Sequence, residues 1–408
     1  MVHWKGRSCR IRRIDVVYYL LLIIILFQSI LEELIDVWSS FDEVLTVAVV
    51  IIAVRLKLKN KRFSVKREDI IFGAALLLYV LAGTVSSAVC QFQSLPVSGI
   101  SAFLSVKWFL LFWGIQEIYA NGYILQTEKW NHNVVYLLIF TVFVWENIFF
   151  FLIPGTFYGF PYWDLVAKCV FLTGLLMITW KKRMLDYISL MLLCEMLFLT
   201  ERAKAYALVA LVFVLMYWIL KKNKRITLAL LVILGLLLII VAWDKVYFYY
   251  IEGARPEHDY ARARLFKTAG EIARDYFPLG TGWGTYASHY AEKYYSPVYY
   301  IYKISEHGEL GFRNRLYLKD AYWPIVLGET GVIGTAAVML VIVWLFHKIQ
   351  ILWTADKRKY LVGIMIWVYM LITTVEETGF QQPVLMCLAG LLGAVLSSGY
   401  KNKVSEKE

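Results

Sequence analysis

Closely spaced arginines stand out in the longest hydrophilic stretch of the sequence. Arg262 and Arg264 lie in the segment DYARARLFKTAGEIARDY (259–276), whose apolar residues recur at the spacing of one helix face. A guanidinium group binds phosphate in a bidentate fork and keeps its charge. The segment predicts an amphipathic helix that either grips a phosphate group of a substrate or lies on the membrane with its cations toward lipid phosphates.

Alternating glycines follow this helix. Gly280, Gly282 and Gly284 stand in the run PLGTGWGTY, and no strand precedes them, which excludes a dinucleotide-binding fingerprint. Alternating glycines allow backbone N–H groups to converge on an anion. The run is interpreted either as such an anion site or as a loop that ends the helix.

A dense group of tyrosines comes next in the same hydrophilic stretch. Its members are Tyr286, Tyr290, Tyr294, Tyr295, Tyr299, Tyr300 and Tyr302. Tyrosine is favoured at membrane interfaces, so one interpretation is an aromatic belt. Aromatic rings also stack on the apolar faces of sugars, and their hydroxyl groups can bond to sugar hydroxyls. The density of the group therefore predicts a surface for glycan.

Two carboxylates mark the end of this stretch. Asp320 stands where the chain returns to an apolar run, and Glu329 lies inside that run. An unpaired carboxylate is costly in lipid. Glu329 is therefore predicted to face a polar interior and to have a partner, whereas Asp320 is predicted to lie at the mouth of a membrane span.

The composition indicates what kind of scaffold must hold these residues. Apolar and aromatic residues make up 60% of the 408 residues, charged residues make up 18%, and the mean hydropathy is +0.59. A soluble domain has about 45–50% apolar and about 25% charged residues. The chain is therefore predicted to be an integral membrane protein. The same composition excludes an intrinsically disordered protein, a collagen-like fibre and a disulfide scaffold. Its five cysteines are scattered singly and predict no disulfide.

Apolar runs of span length predict an all-α, polytopic membrane protein with about twelve transmembrane helices. The predicted spans are residues 14–31, 41–56, 70–90, 99–118, 134–153, 162–180, 184–200, 203–220, 226–243, 322–347, 360–376 and 383–400. Basic residues precede the first run and no small-residue cleavage site follows it, so this run is interpreted as an uncleaved span. The remaining long segment, 244–321, is predicted to be an extracytoplasmic loop that contains short helices.

The distribution of basic residues orients these spans. With the N-terminus in the cytoplasm, the inner segments carry 27 of the 42 Lys and Arg residues, and four short outer loops carry none. Arg202 and Lys204 are the exceptions among the short outer loops. Basic residues concentrate on the cytoplasmic side of membrane proteins, so both termini are predicted to be cytoplasmic. The net charge of +11 then needs no nucleic acid, since basic inner loops favour anionic lipid. The predicted domains are a nine-span bundle (1–243), the outer loop (244–321), a three-span bundle (322–400) and a cytoplasmic tail (401–408).

Three elements in a fixed order indicate a family. They are the turn TERAK (200–204), the arginine helix that runs into PLGTGWG (278–284), and the re-entry motif GETGVIG (328–334). In this order, and on the predicted outer side, they resemble the O-antigen ligase and O-antigen polymerase superfamily of bacterial membrane glycosyltransferases. The architecture of twelve spans and one long outer loop is also that of the family.

Two further segments resemble one branch of this superfamily. YSPVY (295–299) and DAYWP (320–324) look most similar to the polymerases of Gram-positive capsule and exopolysaccharide. One departure concerns the re-entry motif. The ligases have a histidine nine residues before the glutamate, where this chain has Asp320.

The resemblance implies transfer of glycan from undecaprenyl diphosphate to an acceptor hydroxyl, which polymerises or ligates oligosaccharide repeat units of capsule, exopolysaccharide or O-antigen type. No metal and no cofactor is expected, since arginines can stabilise the leaving diphosphate. Arg262 and Arg264 are then expected to be catalytic, with Asp320 as the general base or, alternatively, as the cap of the tenth helix. The residues expected to bind substrate are Arg202, Lys204, Gly280, Gly282, Gly284, Tyr295, Tyr299, Trp323 and Glu329.

The resemblance also implies partners and a location. The partners are the undecaprenyl-diphosphate-linked oligosaccharide, an acceptor glycan and membrane lipid, with a flippase and a chain-length regulator as further candidates and no nucleic acid. The location is the bacterial cytoplasmic membrane. The alternative function is a lipid-linked oligosaccharide flippase or another polysaccharide transporter. Such a transporter is expected to have inverted repeats and short loops, but the sequence has no repeat, and transport does not explain the long loop.

Overall fold

The computed structural model describes residues 23–24, 26–34, 40–59, 67–121, 132–148, 162–221, 243, 247–253, 259–315 and 317–397. These residues are mostly helical and contain no β-strand, which confirms the all-α class. The predicted span 226–243 lies almost wholly outside the described residues, as does the first half of the span 14–31. The predicted tail 401–408 also lies outside them.

The helices of the described residues largely occupy the predicted spans. In the first half of the chain they are α1 (Gln28–Leu34), α2 (Phe41–Lys59), α3 (Arg67–Cys90), α4 (Leu95–Ala120), α5 (His132–Asn147), α6 (Tyr162–Thr179), α7 (Met184–Leu199) and α8 (Ala203–Lys221). The segment 244–321, called the outer loop after its predicted side of the membrane, contains α9 (Ala261–Asp275), α10 (His289–Tyr294) and α11 (Pro297–Ile301). The C-terminal part consists of α12 (Tyr322–Ala355), α13 (Lys357–Glu376) and α14 (Met386–Ser397).

Four of the described helices are long and apolar enough to cross a membrane, a length of about 20 residues. They are Asp69–Cys90, Leu95–Ala120, Tyr322–Ala355 and Lys357–Glu376. Two shorter stretches, Lys204–Val214 and Pro383–Ser397, are apolar as well. The membrane class is thereby confirmed, whereas the total of about twelve spans and the orientation of the termini stay predictions.

The core of the bundle is apolar and rich in aromatic side chains. Trp108 on α4 lies 4.9 Å from Phe380 between ring centroids, and its indole N–H donates to the Leu385 carbonyl oxygen at 2.9 Å. Trp344 on α12 stacks on Phe72 of α3 at 4.6 Å. Aromatic pairs contribute beyond the area that they bury. These contacts join α3 and α4 to the C-terminal helices.

Helix α12 is broken near its start. It has 34 residues, and Gly331 inside it adopts φ 60° and ψ −159°. The loop satisfies the backbone groups that this break frees: Thr281 and Gly282 donate their N–H groups to the carbonyl oxygens of Gly328 and Glu329 at 2.9 and 2.8 Å. Irregular backbone within a span is tolerated only where protein or enclosed water satisfies its polar groups. The outer loop is therefore joined to the helix bundle by backbone hydrogen bonds.

The outer loop also has a small apolar core of its own. Residues of this core include Leu265, Ile272, Tyr286, Tyr299, Leu310, Leu318 and, on α12, Ile325. Helix α9 contributes the apolar face that the sequence predicts, with Leu265, Ala269 and Ile272 fully buried. Because this core includes a residue of α12, the loop packs directly on the start of that helix. The predicted domain limits stay a prediction.

Candidate functional site

The segment 278–286, called the glycine segment below, lies between α3, α4 and α12. Gly282 has φ 97°, and a Cβ atom there would lie 2.6 Å from Ser87 Cα on α3. Gly284 has φ 74°, and a Cβ atom there would lie 2.6 Å from the Ser101 hydroxyl oxygen on α4. Trp283 between them is buried, and its backbone N–H donates to Ser87 Oγ at 2.8 Å. Glycine permits both this backbone conformation and this close approach.

The backbone N–H groups of the glycine segment are used within the protein. Those of residues 280–283 donate to backbone carbonyl oxygens or to Ser87 Oγ. Those of residues 284–286 face the carboxylate of Glu329, with 3.2 Å between Tyr286 N and Glu329 Oε1. The segment does surround an acidic group, but this group is the Glu329 side chain of the protein itself. No substrate-binding role is therefore proposed for Gly280, Gly282 and Gly284.

Glu329 is fully buried and has the partners that the sequence predicts. Besides the backbone groups, the Ser288 hydroxyl donates to Glu329 Oε1 at 2.5 Å. The carboxylate thus links the end of the glycine segment to the broken start of α12. Its position and partners explain Glu329 as a residue that holds the loop to the bundle, and no contact with substrate is proposed for it.

The tyrosines of the loop divide into a buried and an exposed set. Tyr295 and Tyr299 are buried: the Tyr295 hydroxyl donates to the Leu310 carbonyl oxygen, and the Tyr299 hydroxyl accepts from Ala287 N, both at 3.0 Å. Burial raises the pKa of Tyr295 to about 12. These two residues lie in the core of the loop, and their expected role in binding substrate stays a prediction. Among the others, Tyr294 and Tyr300 are exposed.

Charged side chains from four parts of the chain meet where the outer loop returns to α12. Arg262 on α9 pairs with Asp320 and donates to the Glu376 carbonyl oxygen at 3.2 Å. Lys204 on α8 contacts Glu377 and lies 3.7 Å from a carboxylate oxygen of Glu376. These five residues are called the mouth cluster below. The cluster thus brings together residues from the turn at 200–204, from the arginine helix α9 and from the end of the loop, where Asp320 lies.

Asp320 does not cap α12. The N-cap of this helix is Ala321, which makes no side-chain cap, and the Asp320 carboxylate instead contacts Arg262. Burial raises the pKa of Asp320 above the usual aspartate value. Arg262 opposes this rise, and the carboxylates of Glu377 and Glu376 add to it. With a side chain that is 35% exposed, Asp320 is an accessible carboxylate and a stronger base than a free aspartate.

The other predicted site residues lie outside the mouth cluster. Arg264 is two residues from Arg262, but its guanidinium donates to the Tyr302 carbonyl oxygen at 3.2 Å, within the loop. Arg202 is exposed. Trp323 is half-buried and packs against the core of the bundle, with its ring centroid 5.7 Å from that of Tyr322. The structure thus separates Arg262 from the second arginine that was expected to act with it.

Sequence reasoning assigned no role to Glu376 and Glu377. A signal for them was present: two consecutive carboxylates end an apolar run, on the same predicted side of the membrane as the basic turn 200–204. Their backbone and side chains contact both cations of the mouth cluster. Gln382 supports this arrangement, since its amide donates to Glu377 Oε2 at 3.0 Å.

The mouth cluster can supply two kinds of chemistry. Arg262 and Lys204 are cations that can neutralise a phosphate group, and Asp320 is a carboxylate that can take a proton. Across the described residues, no three His, Cys, Asp or Glu side chains are grouped so that they could hold a metal ion. The expected independence from metal stays a prediction.

Most of the loop 244–321 lies within a segment that matches a known family. A family model described as O-antigen ligase matches residues 188–308. The chain resembles the O-antigen ligases. The resemblance that the sequence motifs predict is thereby confirmed for the O-antigen ligase and polymerase superfamily. The O-antigen ligase-like segment contains Lys204, Arg262 and the glycine segment, whereas Asp320 and the two glutamates follow it. No curated protein matches the chain.

Proposed function

We propose that this protein is a membrane glycosyltransferase that joins oligosaccharide repeat units carried on undecaprenyl diphosphate, at the outer face of the bacterial cytoplasmic membrane. The observation that carries the proposal is the pairing of Arg262 with Asp320 at the mouth of α12, beside the O-antigen ligase-like segment. A cation for a departing phosphate and a base for an attacking hydroxyl group are the two groups that such a transfer needs.

In the proposed reaction, the acceptor hydroxyl oxygen attacks the anomeric carbon of the donor sugar. The bond between that carbon and the diphosphate oxygen breaks, and the lipid diphosphate leaves with the electron pair. Arg262, with Lys204 nearby, stabilises the charge that develops on this leaving group. The Asp320 carboxylate takes the proton of the attacking hydroxyl. The step balances without an added metal or cofactor.

The pairing of the two catalytic residues suggests an order of events. Arg262 is bonded to Asp320 before the donor arrives, so it has to exchange this carboxylate for the diphosphate. A diphosphate carries more charge than one carboxylate and suits the guanidinium fork. After the exchange, Asp320 keeps its burial and the nearby Glu376 and Glu377 but loses its cation, so its pKa rises further. Donor binding would in this way activate the base.

The resemblance to capsule and exopolysaccharide polymerases favours polymerisation of repeat units over ligation to a different acceptor. In this proposal the loop 244–321 lies outside the cell and both termini lie in the cytoplasm. The acceptor is then a growing glycan. A flippase that delivers the donor and a chain-length regulator are proposed as partners.

A reconstituted reaction tests this proposal. The purified protein in proteoliposomes receives undecaprenyl-diphosphate-linked repeat units, and the glycan product and released lipid diphosphate are measured with and without a metal chelator. We expect polymer in both conditions, with one lipid diphosphate released for each bond formed. Movement of the donor across the bilayer without any new glycosidic bond would identify a flippase instead.

A further inference from the structure

A groove opens at the outer ends of α3 and α4. It has a volume of about 800 Å³ and is lined by the connection between the two helices and by Tyr294 of α10. Volumes of about 300–1,000 Å³ are typical of small-molecule sites. The groove shares no residue with the mouth cluster, and the proposed bond-forming step does not use it.

The lining of the groove is uncharged and mixes polar and aromatic side chains with the aliphatic side chains of Ala88, Leu95 and Val97. Its amide, hydroxyl and aromatic side chains are those of Gln91, Gln93, Ser87, Ser94, Phe92 and Tyr294. A phosphate or carboxylate ligand would meet no cation in this lining. An uncharged sugar would meet the groups that suit it, since amides and hydroxyls both donate and accept hydrogen bonds and aromatic rings cover apolar faces.

Gln93 and Gln91 of the groove are each held by the surrounding structure. Gln93 Nε2 donates to the Gly284 carbonyl oxygen at 3.0 Å, so this amide is held in place by the glycine segment. Gln91 directly follows α3 and adopts φ 52°. Glycine is the favoured residue at a left-handed helix end, and a Cβ atom there costs free energy. The Gln91 side chain donates to the Ala88 carbonyl oxygen at 3.3 Å and also lines the groove.

The groove lies far from the mouth cluster along the outer loop. Phe92 contacts Tyr276 just after the C-terminal end of α9, with 6.0 Å between ring centroids, whereas Arg262 lies in the first turn of that helix. At 1.5 Å per residue these two ends of α9 are about 20 Å apart. A single sugar cannot reach from one site to the other, but an oligosaccharide can.

We propose that this groove binds an uncharged stretch of the growing glycan, several sugars away from its reacting end. The inference rests on the proposed function and adds a second contact between enzyme and product. A chain that is held in the groove stays with the enzyme between additions. The groove therefore lengthens the product without taking part in bond formation.

Gln91→Gly is the sharpest variant for this inference. It removes the amide and places glycine at a left-handed position, so we expect the variant to fold at least as well as the unaltered protein. Lys182→Gly is its matched control, because Lys182 also has a positive φ, 63°, and is exposed between α6 and α7. Tyr294→Ala provides a second variant. Its control is Tyr300→Ala, since Tyr300 is equally exposed but does not line the groove.

Two measurements apply to these four variants. In the first, fragments of two or more repeat units, cut from the polysaccharide of cells that make the protein, are titrated into the detergent-solubilised protein. Loss of one hydrogen bond is expected to weaken this binding roughly 2- to 10-fold in Gln91→Gly, and the controls should bind normally. In the second, the reconstituted reaction should give shorter chains in both groove variants at an unchanged rate of bond formation.

The possible outcomes separate the groove from the proposed reaction. Fragment binding of normal strength in both groove variants overturns the inference, as does a phospholipid, detected by native mass spectrometry, that occupies the unaltered protein in place of glycan and is lost in Gln91→Gly. If fragments bind through the groove but no donor is polymerised, the proposed reaction fails and the glycan site stands.

Discussion

The glycine segment and the mouth cluster both contain motif residues, but the polar groups of the two regions differ in burial and in their partners. In the glycine segment, the fully buried Glu329 side chain accepts hydrogen bonds through Oε1 from the Tyr286 N–H group and the nearby Ser288 hydroxyl. In the mouth cluster, the side chains of Arg262 and Asp320 are 17% and 35% exposed and pair with each other. A buried group that bonds to the protein's own donors holds structure, whereas an accessible ionisable group with an exchangeable partner can act on a substrate. A motif alone does not distinguish these two roles.

The largest expected effect belongs to Asp320 of the mouth cluster. Asp320→Asn removes the proposed base but keeps its shape, and because Asp320 does not cap α12, folding should be unaffected. A positioned base contributes about 10²–10⁴-fold in rate, so bond formation should fall by this factor. The control is Asp275→Asn, which changes an exposed carboxylate of the same loop. Polymer of normal amount from Asp320→Asn would refute the role of the base.

The next largest effect is expected for Arg262, and it should exceed the effect of the same substitution at Arg264. Arg262→Ala removes a charged hydrogen-bonding group worth about 1.5–3 kcal/mol, so donor turnover should fall roughly 10- to 150-fold. Arg264→Ala should have a smaller effect, because Arg264 is bonded to the Tyr302 carbonyl oxygen inside the loop. Initial rates against donor concentration measure both. Equal losses in the two variants would contradict the separation of their roles.

A substitution in the glycine segment should change the stability of the protein. Gly282→Ala places a Cβ atom at φ 97° and 2.6 Å from the Ser87 backbone, and the left-handed conformation alone costs roughly 1–2 kcal/mol. Gly270→Ala is the matched control, since Gly270 is exposed on α9 with nothing within 4 Å of an added Cβ atom. This change should stabilise the helix by about 0.5–1 kcal/mol. Thermal unfolding in detergent should therefore shift in opposite directions for the two variants.

The pH dependence should show the smallest effect. Asp320 acts as a base only when it is ionised, so the rate should rise with pH through its pKa and then level off. Because burial raises this pKa, the midpoint should lie above the usual aspartate range. In Arg262→Ala the opposing cation is lost, so the midpoint of the residual activity should move to still higher pH. A rate that stays constant down to the usual aspartate range would count against Asp320 as the base.

The sequence predicted single features of the site better than their combination. It indicated Arg262 and Asp320, because a charged group beside an apolar run is visible locally. For the alternating glycines it left open an anion site or a loop that ends the helix, and it did not indicate that they surround Glu329, which lies about 45 residues later in the chain. It grouped the buried Tyr295 with the exposed Tyr294, because adjacent residues of one type look alike until packing separates them.

Composition and periodicity by themselves determined that this chain forms helices in a membrane, because apolar content and helical spacing are local properties. They also determined the amphipathic helix of the outer loop, whose apolar face the structure buries. Only the tertiary structure decided which charges pair. Lys204 and Glu377 are 173 residues apart, and Arg262 and Asp320 are 58 residues apart. Their contacts depend on how α8, α9, α12 and α13 pack, since an ion pair forms only within a few ångströms and no local pattern encodes such a distance.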